Sequence, residues 1–249
     1  MGLTSVDDEL FLLLVRDFNQ VAVYSTNDYQ LLRHLNVPGY EPHHTSDMTS
    51  CVRRKCLHMS DFRKRCIHRY ALDSNATSKW PVSYYPFSLS VTPNGNLLVA
   101  CRIPKQLVEL SAESGKQVRA ISLQDDIEDV WHGIQLADGQ FVVCHGDSLQ
   151  RVCMVDDDGR VTRSYGGKRG SGDGELSRLR DLRDLAVDED SQLIFVSDCY
   201  DNRVVVLSPT LPFVRYIRDG IRWPRQLHLD QTTRRLYVGQ VKGAIVMQL

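Results

Sequence analysis

The amino-acid sequence predicts an all-β protein, a six-bladed β-propeller of four-stranded antiparallel blades with incomplete terminal blades. The first observation is that apolar runs of four to six residues recur along the chain and end at Val15, Met59, Val99, Val143, Val196 and Val238. The second is their spacing of 44, 40, 44, 53 and 42 residues, a period typical of propeller blades. Helical solenoids share this period, but their apolar positions recur every 3.6 residues or so, whereas these runs have the length and composition of strands.

Each repeat contains sequence for four strands. An inner strand such as residues 184–188 precedes the marked run, and the two are separated by hairpin turns at Asn94-Gly95, Asp138-Gly139 and Asp188-Glu189-Asp190. A third apolar strand and a weaker fourth segment follow the marked run. Runs such as residues 194–196 and 204–207 are apolar throughout, as expected for sheets that pack on both faces.

The terminal repeats are shorter than the others. No inner strand is visible before Asp8, and the sixth repeat stops after its third strand at Leu249. Since propellers close their ring by pairing strands from the two ends, we expect incomplete closure or a chain that belongs to a longer protein. Residues 1–249 are predicted to form a single propeller domain.

The fifth repeat carries a family resemblance. Its motifs are Gly170–Leu176 (GSGDGEL), Asp184–Asp188 (DLAVD), Phe195–Asp198 (FVSD) and Asn202–Val206 (NRVVV). They resemble the NHL repeat, which runs from a GxGDGxL loop through an inner strand to an NxRVxV strand. The sixth repeat keeps Pro224, and Asp17 and Asp61 match Asp198, whereas Cys101, His145 and Gln240 depart from it. Similarity to the C-terminal propellers of tripartite-motif proteins implies a recruiting domain of a ubiquitin-ligase-like protein, or an RNA-binding domain.

Composition narrows the class of partner and the compartment. Thirty basic and thirty-one acidic residues give a net charge of -1, so no overall field attracts nucleic acid or a membrane surface. Seven cysteines without dense spacing favour a reducing, cytoplasmic location, although the sequon Asn75-Ala76-Thr77 leaves an extracellular one open. We find no signal peptide, membrane span, phosphate-binding loop or dinucleotide motif, and expect no cofactor.

The expected interaction surface is the end of the propeller where the loops between second and third strands meet the loops leading into the inner strands. Function gathers on such loops. The candidate partner-binding residues are Phe87, Trp131, His132, Arg183, Trp223 and Arg225 before or at the inner strands, and Arg63, Lys64, Arg102, His145 and Tyr200 in the other loops. Aromatic and basic side chains together predict a protein partner, with single-stranded RNA as the alternative. The competing interpretation is that the tryptophans cover the core and the arginines are solvated rim charges.

Two further alternatives concern RNA and metal. Residues 51–70 contain seven basic side chains against Asp61 alone, which are either an RNA-binding surface, as the family resemblance implies, or a solvated basic edge. In the same repeat Cys56 and His58 alternate on one strand and Cys66 and His68 on the next, a weak candidate metal site. A metal-dependent propeller lyase or hydrolase is the third function considered, but His132 and Asp184 are the only suitable ligands near the inner strands. We therefore expect a non-enzymatic protein without catalytic residues.

Overall fold

The computed structural model describes residues 2–14, 20–43, 46–147, 149–167, 179–241 and 243–249. It is built of strands, with a single 3-10 turn at Val52–Arg54 among these residues. None of the described residues belongs to a helix long and apolar enough to cross a membrane. The chain divides into two compact units, Met1–Pro104 with Val108–Ala120, and Lys105–Leu107 with Ile121–Leu249.

Three antiparallel sheets, which we call blades 1 to 3, lie in the first unit, except that residues 106–107 and 121–122 of blade 3 belong to the second unit. Blade 1 consists of β1 (Leu3–Val6), β2 (Glu9–Leu14), β3 (Gln20–Ser25) and β4 (Leu31–Leu35). Blade 2 consists of β5 (Met48–Cys51), β6 (Cys56–Asp61), β7 (Cys66–Ala71) and β8 (Thr77–Pro81). Blade 3 consists of β9 (Pro86–Val91), β10 (Leu97–Cys101), β11 (Gln106–Leu110) and β12 (Gln117–Ser122).

The second unit contains blades 4 to 6. Blade 4 consists of β13 (Val130–Gln135), β14 (Phe141–His145), β15 (Arg151–Val155) and β16 (Val161–Gly166). Blade 5 consists of β17 (Leu182–Val187), β18 (Ile194–Asp198), β19 (Arg203–Leu207) and β20 (Phe213–Ile217). Blade 6 consists of β21 (Gln226–Asp230), β22 (Arg235–Gln240) and β23 (Gly243–Gln248).

Each sheet corresponds to one sequence repeat, and its strands are neighbours in chain order. This is the blade topology of a propeller, so the predicted all-β, six-bladed fold class is confirmed. The prediction that blade 6 has three strands is also confirmed for the described residues. Val15, Asp17 and the glycine-rich segment Gly170–Leu176 lie outside the described residues.

The prediction that blade 1 lacks an inner strand is wrong, because β1 pairs with β2 over four residues. This strand is short and has Thr4 and Ser5 at its centre, so it shows no apolar run. The two polar residues are nevertheless buried. The Thr4 and Ser50 hydroxyls lie 2.7 Å apart, and the Ser50 hydroxyl donates to the carbonyl of Ser5. Hydrogen bonding to blade 2 therefore offsets the cost of burying these groups.

Successive blades pack through apolar faces within each unit. In the first unit, Phe11 and Leu13 of blade 1 share a core with Leu57 and Met59 of blade 2. In the second unit, equivalent clusters join blade 4 to blade 5 and blade 5 to blade 6. All five residues of β18 and of β19 are buried, and the apolar ones meet apolar residues on both faces of the sheet. Each buried large side chain contributes roughly 1.5–3 kcal/mol.

Buried carboxylates link neighbouring inner strands. In the first unit, Asp47 accepts hydrogen bonds from the backbone amides of Met48 and of Leu89 in the next blade. In the second unit, Asp184 accepts the same two bonds, from Leu185 and from Leu227 in the next blade. The repeated pattern fixes the spacing between adjacent blades at the end where the candidate site lies.

Candidate functional site

The two sets of loops named by the sequence lie at the same end of their blades. In blades 3 to 5 a backbone hydrogen bond joins the loop between the second and third strands to the segment before the inner strand, and in blade 6 the equivalent bond reaches the end of the second strand. The bonds run from Tyr85 N to Ile103 O, Gly146 N to Asp129 O, Cys199 N to Asp181 O and Arg225 N to Gly239 O. In each unit, we call this end of its blades the loop face of that unit.

Trp131 and Arg183 connect blades 4 and 5 on the loop face. The guanidinium carbon of Arg183 lies 4.2 Å from the centroid of the Trp131 ring, and Arg183 pairs with Asp181 at 2.8 Å. The indole nitrogen of Trp131 donates to the carbonyl of Gly146. Both side chains are half-buried and engaged within the chain. They therefore brace neighbouring blades and leave little free surface for a partner.

Tyr200 and Trp223 form an exposed aromatic pair across blades 5 and 6. They are 56% and 45% exposed, and their rings meet edge to face with centroids 5.4 Å apart. The backbone amide of Trp223 donates to the side-chain oxygen of Asn202 at 2.8 Å, which fixes the Trp223 loop to the Tyr200 loop. Exposed Arg225 follows in the same loop. Two large rings are thus held in place while facing solvent.

A buried ion pair supports the Tyr200 loop from below. Arg203 contacts Asp198 at 2.8 Å and Asp201 at 3.0 Å, and its guanidinium carbon lies 4.3 Å from the centroid of the Tyr216 ring. The other oxygen of Asp198 accepts the backbone amides of Arg180 and Asp181. Burial raises the pKa of Asp198, while these amides and Arg203 act in the opposite direction. The Asp of the NHL-like motif therefore organises the loop.

His132 and His145 lie inside the molecule, so they offer no exposed surface to a partner. His132 Nδ1 lies 2.8 Å from a carboxylate oxygen of Asp184. His145 occupies the position of Asp198 in its blade, and its Nδ1 accepts the backbone amide of Glu128. Its Nε2 lies 3.3 Å from Cys153 Sγ. Burial lowers the pKa of His145 to about 4, so this imidazole is neutral near pH 7.

The loop face of the first unit carries a second aromatic cluster. The Phe62 ring contacts Tyr85 and Phe87 at centroid distances of 5.0 and 6.4 Å. Arg65 and Arg102 stack against Tyr85 and Phe87 at 5.3 and 5.2 Å. Sequence reasoning identified Phe87 and Arg102 but missed Phe62 and Tyr85. The available signal was their position, since Phe62 directly follows the motif residue Asp61 and Tyr85 lies two residues before Phe87.

The remaining predicted basic residues differ in their surroundings. Arg63 is exposed, whereas the ammonium group of Lys64 donates to the carbonyl of Gly39 and lies 3.3 Å from Glu41. Residues 53–55 precede β6 and residues 63–65 follow it, so they lie at opposite ends of a six-residue strand. At about 3.3 Å per residue this separates them by roughly 20 Å. The basic segment of the sequence therefore forms two separate patches.

The four metal-ligand candidates of blade 2 do not meet. Cys56 and His58 are opposite Ala71 and Arg69, whereas Cys66 and His68 are opposite Asp61 and Met59. Because directly paired residues share a face, the two Cys-His pairs lie on opposite faces of the sheet. Instead, His58 packs against the Trp80 ring. Among the described residues, His132 and Asp184 belong to no group of three clustered potential ligands.

Comparison with known proteins supports the fold and gives no family. No protein-family model matches the chain, and no curated protein matches its sequence. Among solved structures, hydrazine synthase from Kuenenia stuttgartiensis is similar over 100% of this chain and 95% of that chain, with a TM-score of 0.70 and 12% identity. At this identity the likeness shows a shared six-bladed propeller fold alone.

Proposed function

We propose that the loop face is a protein-binding surface and that Tyr200 and Trp223 are its main anchor. The chain would then act as a non-enzymatic recruiting module, as its NHL-like motifs imply. The observation that carries this proposal is the exposure of two large rings whose loops are fixed by the bond from Trp223 N to Asn202.

Large aromatic side chains bury much apolar area on binding and are enriched among the residues that dominate the energetics of protein interfaces. Tyr200 and Trp223 already contact each other, so these two side chains lose little conformational entropy when a partner binds. Trp131 differs, because its indole nitrogen and its ring face are both occupied by neighbouring groups. The pair in blades 5 and 6 is therefore better suited to act as an anchor than the tryptophan of blade 4.

The charges around the anchor indicate the chemistry of the partner. Arg222 and Arg225 flank this part of the loop face and are exposed. Arg183 and Arg203 contribute little net charge, since each pairs with an aspartate of the chain. An extended segment with an apolar or aromatic residue and one or two carboxylates matches this combination.

Protein is favoured over RNA because the positive charge is discontinuous. The basic segment of blade 2 is divided between the two ends of β6, and Asp181 and Asp201 lie close to the anchor. An RNA-binding groove needs a basic track that follows the phosphates. Single-stranded RNA stacking on the same rings is the competing outcome of the experiment below.

The test is capture from lysate with and without nuclease treatment, followed by affinity measurements with the purified partner. Wild type is compared with Tyr200→Ala and Trp223→Ala. Val214→Ala is the matched control, because Val214 is 46% exposed on the outer strand β20 of blade 5. Removal of an anchor ring is expected to weaken binding by about 30-fold, corresponding to roughly 2 kcal/mol, while the control binds like wild type.

Two results would contradict the proposal. One is equal binding by wild type and both anchor variants. The other is capture that disappears after nuclease treatment, with affinity for single-stranded RNA that falls steeply with salt and is weakened by Arg183→Ala and Arg225→Ala; RNA would then be the ligand.

A further inference from the structure

Blade 2 retains the buried aspartate of the NHL-like motif without its arginine. In blade 5 the last residue of the second strand, Asp198, is directly opposite the first residue of the third strand, Arg203. In blade 2 the same two positions hold Asp61 and Cys66. The guanidinium that balances the carboxylate in blade 5 is thus replaced by a thiol.

Within the part of the chain that the structure describes, no arginine or lysine side chain pairs with Asp61. Its Oδ1 accepts the backbone amide of Lys64, whereas Oδ2 has no hydrogen-bond partner among the described residues. His68 Nε2 lies 3.8 Å from this oxygen and 3.4 Å from Cys66 Sγ. The ammonium group of Lys64 is directed to Glu41 and to the carbonyl of Gly39 instead.

These three side chains are enclosed. Asp61, Cys66 and His68 are 4%, 0% and 3% exposed, and the ring of Tyr40 covers His68 at a centroid distance of 5.1 Å. A buried carboxylate with an unpartnered oxygen is costly, and a cation bound to it removes that cost. The ligand atoms of Asp61, Cys66 and His68 all lie within 4.8 Å of one another, which leaves space for one ion between them.

We propose that Asp61, Cys66 and His68 bind one divalent transition-metal ion, with Zn²⁺ the best match to the ligand set. In a tetrahedral zinc site the bond lengths place sulfur and nitrogen about 3.6 Å apart and nitrogen and oxygen about 3.4 Å apart. The corresponding separations here are 3.4 and 3.8 Å, within a few tenths of an ångström of these values. The sulfur and carboxylate oxygen lie within 4.8 Å of each other, against about 3.6 Å in such a site, so the Asp61 carboxylate moves toward Cys66 when the ion binds.

Charge and ligand type both support this assignment. The thiol of Cys66 releases its proton to solvent on binding, and the resulting thiolate and the Asp61 carboxylate together neutralise a divalent ion. Thiolate and imidazole ligands select zinc and similar metals, whereas Ca²⁺ and Mg²⁺ require oxygen ligands. The metal takes the place that a guanidinium occupies in blade 5.

The test measures bound metal in the purified, folded chain. Wild type is incubated with Zn²⁺ or Co²⁺, passed through a desalting column and analysed for metal by elemental mass spectrometry. We expect one metal ion per chain and, for Co²⁺, a thiolate-to-metal charge-transfer band. Cys66→Ala should lose both. Cys56→Ala is the matched control, because Cys56 is a buried thiol of the same sheet on its opposite face, and this variant should keep both.

A conservative variant distinguishes the loss of a metal ligand from misfolding of the chain. Asp61→Asn keeps the shape of the side chain and removes its charge, and its fold is checked by circular dichroism. Its Zn²⁺ affinity, measured by competition with a coloured chelator, should fall by at least ~10-fold. The proposal is overturned if folded wild type binds neither ion, or if Cys66→Ala retains the metal and the cobalt band. Partner binding through Tyr200 and Trp223 is measured separately, and its result does not bear on whether blade 2 binds a metal ion.

Discussion

At the scale of single residues, Gly159 shows how closely turns approach their neighbours. It lies between β15 and β16 with a φ of +80°, and a Cβ atom there would be 1.8 Å from the carbonyl oxygen of Ser122. Gly95, in the turn between β9 and β10, has a similar φ of +78° and no atom within 4 Å of the same position. The two glycines therefore share a backbone conformation and differ in the space around them.

Gly159→Ala should be more destabilising than Gly95→Ala. The positive φ alone costs an alanine about 1 kcal/mol, and the forced movement of the Ser122 backbone should add roughly 1–3 kcal/mol. Urea denaturation of both variants measures the difference. Equal losses of stability would mean that the Ser122 segment yields to the methyl group without cost.

At the scale of structural elements, an ion pair joins two hairpin turns of blades 5 and 6. Arg234, in the turn between β21 and β22, forms two hydrogen bonds with Asp188, in the turn between β17 and β18. Asp188 is buried and also accepts the hydroxyl of Ser191. The hydrogen bonds from Arg234 hold the pKa of Asp188 well below its usual range. The pair therefore fastens the blades at the end opposite the loop face.

Arg234→Ala should destabilise the protein by roughly 2 kcal/mol at pH 7, because it leaves a buried carboxylate without its cation. The folded-state pKa of Asp188 lies below the unfolded value of 3.8, so this stabilisation is present above pH 4 and is lost as the pH falls further. Urea titrations at several pH values measure both effects. Arg160→Ala, which removes an exposed pair with Asp158, serves as the control and should change stability by less than about 0.5 kcal/mol. If Arg234→Ala lowers the free energy of unfolding no more than the control does, the pair between Arg234 and Asp188 does not stabilise the protein.

The order of elements was predictable from the sequence because the second strands carry short apolar runs, such as residues 97–100 and 141–143, at a regular spacing. β1 was not, since its central Thr4 and Ser5 depend for burial on hydrogen bonds to another blade. The candidate site was predictable in kind, because loop-face aromatics such as Tyr200 and Trp223 are visible in the repeat alignment. Their exposure was not, since it depends on which neighbours fill the space around each ring. The sequence also could not show that Cys56 and His58 lie on the opposite face of the sheet from Cys66 and His68, because this depends on the register between β6 and β7.

At the scale of the whole molecule, buried neutral histidines make stability sensitive to acid. His58 and His145 are fully enclosed, and burial lowers their pKa values to about 3 and about 4. Unfolded histidines take up protons near pH 6.5, so between pH 6.5 and 4 the unfolded state binds more protons than the folded state. Stability must therefore decrease as the pH falls through this interval.

His145→Gln should flatten this dependence. A shift of this size for one histidine corresponds to roughly 3 kcal/mol across the interval, and the variant should lose that part while being less stable than wild type at pH 7. The free energy of unfolding in urea at pH 7 and pH 4 is the measurement. His34→Gln, on the exposed strand β4, is the control. An unchanged pH dependence in His145→Gln would refute the assignment.

The carboxylates that link neighbouring inner strands also bear on how each unit folds. Asp47 and Leu89 are 42 residues apart, and Asp184 and Leu227 are 43 apart, so each bond closes a loop about one repeat long. The entropy lost in closing a loop grows with the logarithm of its length. Contacts between consecutive repeats close the shortest loops that can join two blades, so they carry the smallest entropy cost. Within each unit, we therefore expect a folded blade to provide the template on which the next one assembles, so that structure forms one repeat at a time.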